Sequence, residues 1–267
     1  MTLPTFKKTV WLYYRKNSRN LPWRKTTDPY KILVSEIMLQ QTQVDRVVPK
    51  YLEFVKKFPN FKSLAEASVS DVLKTWQGLG YNRRALFVKR AAESIAEHFN
   101  GKLPRTLTEL ESLPGIGKAT AAAILAYAHN KPVTFIETNV RTVFLHHFFK
   151  GGEKIPDTEI LKLALATLDT GKPRDWHYAL MDYGTYLKKE FGNPNSQSKH
   201  YAKQSKFRGS DREIRGAVLK FLTCNKKISR QKFLKMSGFE NARATTIIKN
   251  LTTEGFIKNN RDMLTLA

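Results

Sequence analysis

The sequence predicts an all-α fold with a tight hairpin between two lobes, followed by a small C-terminal winged-helix (α+β) domain. Up to about residue 190, apolar residues recur at helical spacing and strand signals are nearly absent. A polar, basic stretch then interrupts the pattern, and three further helical segments and two short β-prone runs follow it. We therefore divide the chain into a helical domain at 1–187, a basic linker or loop at 188–209 and a winged-helix-like domain at 210–267.

Start signals mark several of the predicted helices. Asp28 and Pro29 supply an N-cap and a first-turn proline, so a helix should open at Tyr30 and run to about residue 43. In chain order, the helices predicted for the first domain are 5–16, 30–43, 47–58, 63–67, 69–76, 83–99, 107–112, 118–129, 139–149, 157–168 and 174–189. Helices at 211–222, 229–236 and 241–253 precede the wing, whose two β-prone runs flank an Asn-Asn-Arg-Asp turn.

The segment LPGIGK at 113–118 has the layout of a helix-hairpin-helix. Gly115 and Gly117 allow a tight reversal because glycine enters positive φ freely, and a new helix begins at Lys118. Two glycines here would let the backbone N–H groups of a helix N-terminus approach a DNA phosphate without sequence preference. The alternative for this segment taken alone is an ordinary corner between two helices.

The charge of the chain is its most unusual bulk property. Forty-six Lys and Arg against 23 Asp and Glu give a formal net charge of +23 and a pI near 10.0. Such an excess, spread over the whole length, indicates a polyanionic partner, because neutralised phosphates release counterions. Ribosomal and membrane-surface proteins share this property, so charge alone does not select among these classes.

Cysteine content and hydropathy argue against disulfide-bonded, metal-cluster and membrane-spanning classes of protein. With one cysteine, Cys224, the chain can form neither an internal disulfide nor a cysteine-based metal cluster, and its six histidines show no metal-ligand spacing. No run approaches a membrane span, and the first residues look like a mature helix. We expect a cytoplasmic, nucleoid-associated protein that is a monomer and needs no cofactor.

Two glutamates are the candidate chemical groups. Glu36 lies within the 30–43 helix beside apolar neighbours, where desolvation would raise its pKa and make it a proton donor. The alternative is a half-buried glutamate paired with a basic residue. Glu137 follows an extended segment about 20 residues after the hairpin, and it could simply cap the next helix. Two carboxylates suffice for N-glycosidic cleavage, since one protonates the leaving base and the other stabilises the oxocarbenium ion.

Five segments in the right order resemble the motifs of the helix-hairpin-helix (HhH-GPD) DNA glycosylases. They are DPYKILVSEIMLQQTQV (28–44), GLGYNRRA (78–85), LPGIGKATAAAIL (113–125), IETNVRTV (136–143) and ALMDYG (179–184). SEIMLQQTQV is most similar to the MutY-type adenine DNA glycosylases, which remove adenine mispaired with 8-oxoguanine. The resemblance covers roughly residues 5–190, and it implies a two-lobed helix-hairpin-helix DNA glycosylase fold.

The resemblance also implies roles for individual residues. Glu36 matches the family's general acid, Glu137 matches an aspartate that stabilises the cationic sugar, and Asn139 matches the asparagine after it. Positions lining the adenine pocket match Trp23, Arg24, Leu39 and Asp182. Gln41, Thr42 and Tyr81 match family residues that penetrate the duplex. In the family these residues surround the orphaned base, which is the base left without a partner. The hairpin residues Gly115, Gly117 and Lys118 would bind the DNA backbone.

The chain departs from the family pattern in four places. Ala119 stands where bifunctional relatives carry a Schiff-base lysine, which implies base removal without strand cleavage. Glu137 replaces aspartate, and a carboxylate displaced by about 1 Å can cost on the order of 100-fold in rate. The four cysteines that hold an iron–sulfur cluster in relatives are missing, and the basic 188–209 segment takes their place. Residues 210–267 are too few for the 8-oxoguanine-sensing Nudix-like domain of many MutY proteins.

We therefore predict a monofunctional, cluster-free enzyme that hydrolyses the N-glycosidic bond of adenine opposite 8-oxoguanine or guanine in double-stranded DNA and leaves an abasic site. The nearest alternative is a thymine or uracil mismatch glycosylase of the same fold. A second alternative is a DNA-binding protein that has lost the chemistry, which the change at Glu137 favours. RNA binding ranks third, because a hairpin that reads a duplex and a side chain that enters it are poorly suited to the grooves of A-form RNA.

Overall fold

The computed structural model describes residues 1–149, 154–202 and 206–267, so part of the predicted linker, 203–205, lies outside the described residues. Within this range the protein consists of α-helices, two short 3₁₀ helices and one three-stranded sheet. The helices are α1 (Leu3–Asn17), α2 (Pro29–Leu39), α3 (Val44–Lys57), α4 (Phe61–Glu66), α5 (Val69–Trp76), α6 (Arg83–His98), α7 (Leu107–Glu111), α8 (Lys118–His129), α9 (Thr138–Phe148), α10 (Asp157–Thr167), α11 (Pro173–Phe191), α12 (Asp211–Cys224), α13 (Arg230–Ser237) and α14 (Asn241–Thr253). The strands are β1 (Lys227–Ser229), β2 (Ile257–Asn260) and β3 (Met263–Leu266), and the 3₁₀ helices are Pro22–Lys25 and Pro194–Gln197.

The predicted fold class is confirmed, and the helix boundaries differ in one important place. Asp28 caps α2 as predicted, because its Oδ1 accepts the backbone N–H of Tyr30 at 2.9 Å. However, α2 ends at Leu39 and not near residue 43, and α3 begins at Val44, earlier than expected. Gln41 adopts a left-handed conformation with φ of 54°, which is incompatible with a continuous helix.

The chain divides into two compact units, and the first contains residues 1–36, 104–112 and 116–203. One buried core joins α1, α9, α10 and α11, and its members include Phe6, Val10, Val143, Phe144, Ile160 and Trp176. A second core joins α2 and α8 to α11, where Ala122, Ala123 and Ala126 pack with Ile32 and Tyr178. The small side chains of α8 permit the close packing that its alanine run predicts.

The second unit contains residues 37–103, 113–115 and 204–267. Here α6 packs on α4 and α5, and α3 packs on α5 through Phe54, whose ring lies 5.8 Å from that of Trp76. The C-terminal helices also belong to this unit, since α12 packs on α14, on β3 and on α5. The predicted boundaries at 187, 209 and 210 remain predictions.

The C-terminal segment forms the predicted wing and one strand that the sequence analysis missed. Strands β2 and β3 pair antiparallel, and the predicted turn joins them with Arg261 and Asp262 at φ of 48° and 67°. Positive φ at both central residues is the geometry of a tight hairpin turn. The unpredicted β1 pairs antiparallel with β3 in the order β1-β3-β2. With only three residues, β1 is too short for a period-two pattern to show.

None of the helices in the described parts of the chain has the length and apolar character needed to cross a membrane.

Candidate active site and DNA-binding loops

Glu36 lies near the end of α2 in the environment that the sequence predicts. It is half-buried, and it shares the first unit with Glu137 and Arg24. Desolvation by burial raises the pKa of Glu36 to about 8; the Glu137 carboxylate adds to the shift, and Arg24 opposes it. At neutral pH this carboxyl group holds its proton, so Glu36 can act as an acid.

Glu137 lies at the N-terminus of α9 and caps it. Its Oε1 accepts the backbone N–H groups of Asn139 at 2.7 Å and Val140 at 2.8 Å. The cap places this carboxyl group at the positive end of the helix dipole. The capping role weighed in the sequence analysis is therefore confirmed. The second carboxylate oxygen, Oε2, accepts from the Thr138 hydroxyl at 3.2 Å and from the side-chain amide Nδ2 of Asn139 at 3.4 Å.

The side-chain amide of Asn139 has a fixed orientation. Lys188 on α11 donates from Nζ to Asn139 Oδ1 at 2.8 Å, and an ammonium group cannot accept a hydrogen bond. The Nδ2 atom of Asn139 therefore points to Glu137. Gly184 lets α11 approach this position closely, since a Cβ atom there would lie 2.3 Å from the carbonyl oxygen of Asn139. Sequence reasoning missed Lys188, although Gly184 lies in one of the recognised motifs.

Asp182 and Arg24 form a buried ion pair in the first unit. Arg24 donates to the two carboxylate oxygens of Asp182 at 2.7 and 2.8 Å, and Arg19 donates through Nε at 2.5 Å and through its backbone N–H at 3.0 Å. Burial acts to raise the pKa of Asp182, but these hydrogen bonds and charges lower it below its usual range. Asp182 thus holds Arg24 in place. Arg19, which the sequence analysis missed, carries no spacing signal, because its partner is 163 residues away.

Arg24 presents one unused donor. Its guanidinium carbon lies 4.4 Å from the centroid of the Tyr178 ring, and its buried Nε–H has no hydrogen-bond partner within the described residues. Tyr178 in turn stacks on Tyr127 with ring centroids 4.5 Å apart. A buried donor without an acceptor is costly, so an acceptor atom of a bound molecule would relieve that cost.

The other two predicted pocket residues are placed differently. Trp23 lies in the 3₁₀ helix Pro22–Lys25 and is only 3% exposed, so it contributes to the packed interior. Leu39 is the last residue of α2 and is half-buried. The roles of Trp23 and Leu39 in an adenine pocket stay predictions.

Gln41, Thr42 and Tyr81 lie on two loops of the second unit. Gln41 and Tyr81 both have left-handed backbone conformations, with φ of 54° and 47°. Such a conformation is uncommon for a non-glycine residue, and a bulky side chain makes it strained. Two of the three predicted duplex-penetrating side chains therefore occupy positions where surrounding contacts must hold the backbone.

Arg84 on α6 supplies those contacts, and sequence reasoning missed it. This buried side chain donates to the carbonyl oxygens of Ile37 at 2.9 Å and Met38 at 2.8 Å, and also to Gln40. The same guanidinium donates to Thr42 Oγ1 at 2.9 Å and to the carbonyl oxygen of Gly80 at 3.2 Å. It satisfies the free carbonyls at the end of α2 and links the loop at 40–42 to the loop at 78–81.

The hairpin between α7 and α8 has the predicted turn geometry. Gly115 has φ of 79°, and a Cβ atom there would lie 2.6 Å from Cβ of Phe87, so only glycine fits. Gly117 is the N-cap of α8, is exposed and has no heavy atom within 4 Å of a Cβ position. Among the residues that the structure describes, no side chain caps this helix, and Lys118 is exposed beside it. The arrangement suits a phosphate group at the helix N-terminus.

Within the described residues, no three or more His, Cys, Asp or Glu side chains lie close enough together to bind a metal ion. The adjacent residues His146 and His147 make ring contacts instead, with Phe191 at 5.0 Å and with Tyr183 at 5.6 Å respectively.

Three features agree with the helix-hairpin-helix base-excision fold. They are the glutamate that caps α9, the Glu36 carboxyl group with its raised pKa, and the glycine hairpin at the N-terminus of α8. Comparison with known families agrees: the description "HhH-GPD superfamily base excision DNA repair protein" matches residues 34–167. The chain belongs to this superfamily.

Individual relatives give the same result. The chain is 36% identical over 192 residues to an adenine DNA glycosylase of Buchnera aphidicola, covering 70% of this chain and 54% of that protein. It is 32% identical over 232 residues to an adenine DNA glycosylase of Mycobacterium tuberculosis, covering 79% and 76% respectively. A solved thermostable thymine-DNA glycosylase has 27% identity and a TM-score of 0.64, covering 74% of this chain and 92% of that one. The chain spans about half the length of the Buchnera relatives that it matches.

Proposed function

We propose that this chain is a monofunctional DNA glycosylase that removes adenine mispaired with 8-oxoguanine or guanine and leaves an abasic site. The observation that carries the proposal is the pair of carboxyl groups in opposite environments: Glu36, with a pKa of about 8, and Glu137, bound to the positive end of α9. One can donate a proton while the other keeps its charge. The adenine DNA glycosylases among the relatives support adenine as the target.

The first chemical step is departure of the base. The bond between C1′ of the sugar and the ring nitrogen of adenine breaks, and its electron pair leaves with the base. Glu36 donates its proton to a ring nitrogen, which makes the base a better leaving group. The unpartnered Nε–H of Arg24 supplies a donor for an acceptor atom of the purine, and Asp182 fixes its direction.

The second step is capture of the sugar by water. The oxocarbenium ion carries positive charge near C1′, and the Glu137 carboxylate offers the compensating negative charge. Water adds to C1′ and loses a proton to the Glu36 carboxylate formed in the first step. Both carboxyl groups thereby return to their starting states. Ala119, exposed in the first turn of α8, has no amine, so we propose that no Schiff base forms there and the strand stays intact.

Glutamate in place of aspartate at position 137 does not prevent the cap from forming. The longer side chain still reaches the backbone N–H groups of Asn139 and Val140 with short hydrogen bonds. Lys188 and Gly184 restrain Asn139 from the α11 side. These contacts support catalysis by Glu137 over the alternative of a protein that binds DNA without chemistry.

The proposed enzyme works without an iron–sulfur cluster, because the residues do not fit one. Cys224 is the single cysteine of the chain and lies exposed at the end of α12. In the stretch after α11, Asn195 donates instead to Thr142 Oγ1 at 2.9 Å and to the carbonyl oxygen of Thr138 at 3.3 Å. This amide ties the segment to α9, the helix that Glu137 caps.

The proposed partner is double-stranded DNA that contains a mispair. The exposed N-terminus of α8 and the net charge of +23 support DNA binding. We propose a monomer acting in the cytoplasm at the nucleoid. A thymine or uracil mismatch glycosylase is the second candidate, which the 27% identity to the thymine-DNA glycosylase favours.

Single-turnover base release from four duplexes tests the proposal: A opposite 8-oxoguanine, A opposite G, T opposite G and U opposite G. We expect adenine release from the first two, with strand cleavage only after alkali. Glu36→Gln should lower the rate by at least about 100-fold, since general acid catalysis contributes that much or more. Glu97→Gln, which neutralises an exposed glutamate of α6, is the matched control and should retain the wild-type rate.

The other outcomes are equally informative. Release of thymine or uracil alone would move the substrate to the second candidate and keep the mechanism. Tight binding without release of any base would identify a DNA-binding protein. Wild-type rates for Glu36→Gln would remove Glu36 from the mechanism.

A further inference from the structure

Tyr81 lies between two arginines of the second unit. The guanidinium carbons of Arg84 and Arg212 lie 5.4 Å and 5.8 Å from the centroid of its ring. Both distances allow attraction between a cation and the face of an aromatic ring. The side chain is half-buried, so its orientation is set by these contacts while part of it stays accessible.

Arg212 also binds the polar end of Tyr81. Its Nη1 donates to the tyrosine hydroxyl oxygen at 3.0 Å. Arg212 lies in the first turn of α12, 131 residues along the chain from Tyr81. The winged-helix segment thus contributes a side chain directly to the loop that carries the predicted duplex-penetrating ring.

An ion-pair cluster on the same face keeps α12 in place. Glu254, which follows α14, accepts two hydrogen bonds from Arg83 at 2.7 and 2.9 Å and two from Arg215 at 2.7 and 2.9 Å. Arg90 donates to the backbone carbonyl of Glu254 at 2.8 Å. The pKa of Glu254 is lowered to about 2, first by the hydrogen bonds from Arg83 and then by those from Arg215 and by both positive charges. Burial of the carboxylate acts in the opposite direction. Arg83 and Arg90 belong to α6, whose first turn follows the Tyr81 loop.

We propose that Arg212 is a positioning residue for base recognition: it holds the Tyr81 ring ready to enter the duplex, and it thereby gives the winged-helix segment a part in selecting the mispair. A ring held beforehand loses less conformational freedom on insertion, which strengthens binding without a new contact. Extrusion of a base disrupts its stacking in the duplex, and a fixed aromatic ring can refill the gap. This inference rests on the proposed function, because it assumes that Tyr81 enters mispaired DNA.

A double-mutant cycle on the full chain tests the inference. Arg212→Met removes the donor, and Tyr81→Phe removes the hydroxyl acceptor while keeping the ring. Each change should lower single-turnover excision from A opposite 8-oxoguanine by roughly tenfold, as loss of one charge-assisted hydrogen bond predicts. The double variant should be no slower than the slower single variant, because both changes break one interaction. Additive losses of about 100-fold in the double variant would overturn the inference.

Two controls separate positioning from charge. Lys220→Met removes one exposed cation from the same helix and should leave the excision rate unchanged. The slope of log Kd against log salt should be equal for wild type and Arg212→Met, since a lost phosphate contact would change it by about one. A changed slope would identify Arg212 as a phosphate contact and overturn the inference. Arg212→Lys keeps a donor and should recover part of the rate; a rate no higher than that of Arg212→Met would also count against it.

A binding measurement keeps the inference distinct from the proposed function. If the wild-type chain releases no base, the proposed function fails. A duplex with 2-aminopurine at the target position then reports base extrusion directly through its fluorescence. Arg212→Met and Tyr81→Phe should reduce that signal to the same extent, and Lys220→Met should not. Undiminished fluorescence in Arg212→Met, with unchanged thermal stability, would overturn the positioning role.

Discussion

At the scale of single residues, the candidate site depends on how two glutamates are solvated. Burial raises the pKa of Glu36 to about 8, and the Glu137 carboxylate adds to the shift. Glu137 receives two backbone hydrogen bonds at a helix N-terminus, which stabilise a negative charge. The same residue type therefore has a raised pKa in one place and caps a helix in the other.

Burying Glu36 should cost stability at neutral pH. Its pKa is about 8 in the folded chain against 4.5 for an ordinary glutamate. Between these values the folded state holds a proton that the unfolded state has lost, so the free energy of unfolding falls as pH rises from 4.5 to about 8. Glu36→Gln has no such proton. Its free energy of unfolding should exceed that of the wild type by about 3 kcal/mol at pH 7 and should be almost the same at pH 4.

Urea unfolding at both pH values measures this difference. Glu97→Gln, at an exposed glutamate of α6, serves as the matched control. An equal effect of Glu36→Gln at pH 4 and pH 7 would mean that the carboxyl group titrates normally in the folded chain.

At the scale of elements, the site depends on how closely α11 approaches α9. Gly184 faces the backbone of Asn139, and Lys188 one turn later binds the side chain of the same residue. Asn195 adds a third contact by donating to Thr142 on α9. Three contacts, two from α11 and one from the 3₁₀ helix Pro194–Gln197, thus fix α9, the helix that Glu137 caps.

Gly184→Ala should disturb this packing. A Cβ atom would lie 2.3 Å from a backbone oxygen, so α9 must move away. Overpacking of this kind should lower the free energy of unfolding by on the order of 2 kcal/mol. Displacement of Glu137 by about 1 Å should lower excision on the order of 100-fold.

Gly216→Ala provides the matched control for Gly184→Ala. Gly216 lies within α12, has no heavy atom within 4 Å of its Cβ position and does not require positive φ. This change should stabilise the chain by roughly 0.5 to 1 kcal/mol, because alanine loses less backbone entropy in a helix. Equal effects of the two substitutions on unfolding would contradict the close approach of α11 to α9.

At the scale of the whole molecule, the net positive charge should determine how the chain binds the proposed DNA partner. The chain carries 46 basic and 23 acidic residues. Phosphate contacts release counterions, so duplex affinity should fall by about a thousandfold or more between about 50 and 200 mM salt if six or more phosphates are contacted. Fluorescence anisotropy with labelled duplexes measures the slope.

Mispaired and fully paired duplexes should give similar slopes, since the phosphate contribution does not depend on sequence. They should differ in absolute affinity, because we propose that the loops with Gln41 and Tyr81 enter the duplex only where a base is extruded. An affinity that does not change with salt would rule out the backbone contacts proposed for the α8 N-terminus.

The sequence by itself determined the helical class, the hairpin, the order of the motifs and the two glutamates. These follow from local information: helical periodicity, glycines in a tight turn and a proline after an N-cap appear within a few residues. The fold class and the family are confirmed. The cap at Glu137 was also foreseen as one of its two roles.

Only the tertiary structure decided which side chains meet. Arg84 joins two loops from residues up to 47 positions away, Arg19 reaches Asp182 across 163 positions, and Arg212 reaches Tyr81 across 131. No periodicity or spacing marks such pairs, because many arginines in this chain look alike in sequence. Likewise, the end of α2 at Leu39 depends on Arg84 binding its last carbonyls and on the left-handed turn at Gln41. Helix propensity carries no information about Arg84, which lies more than 40 residues further along the chain. For this reason α2 was predicted too long.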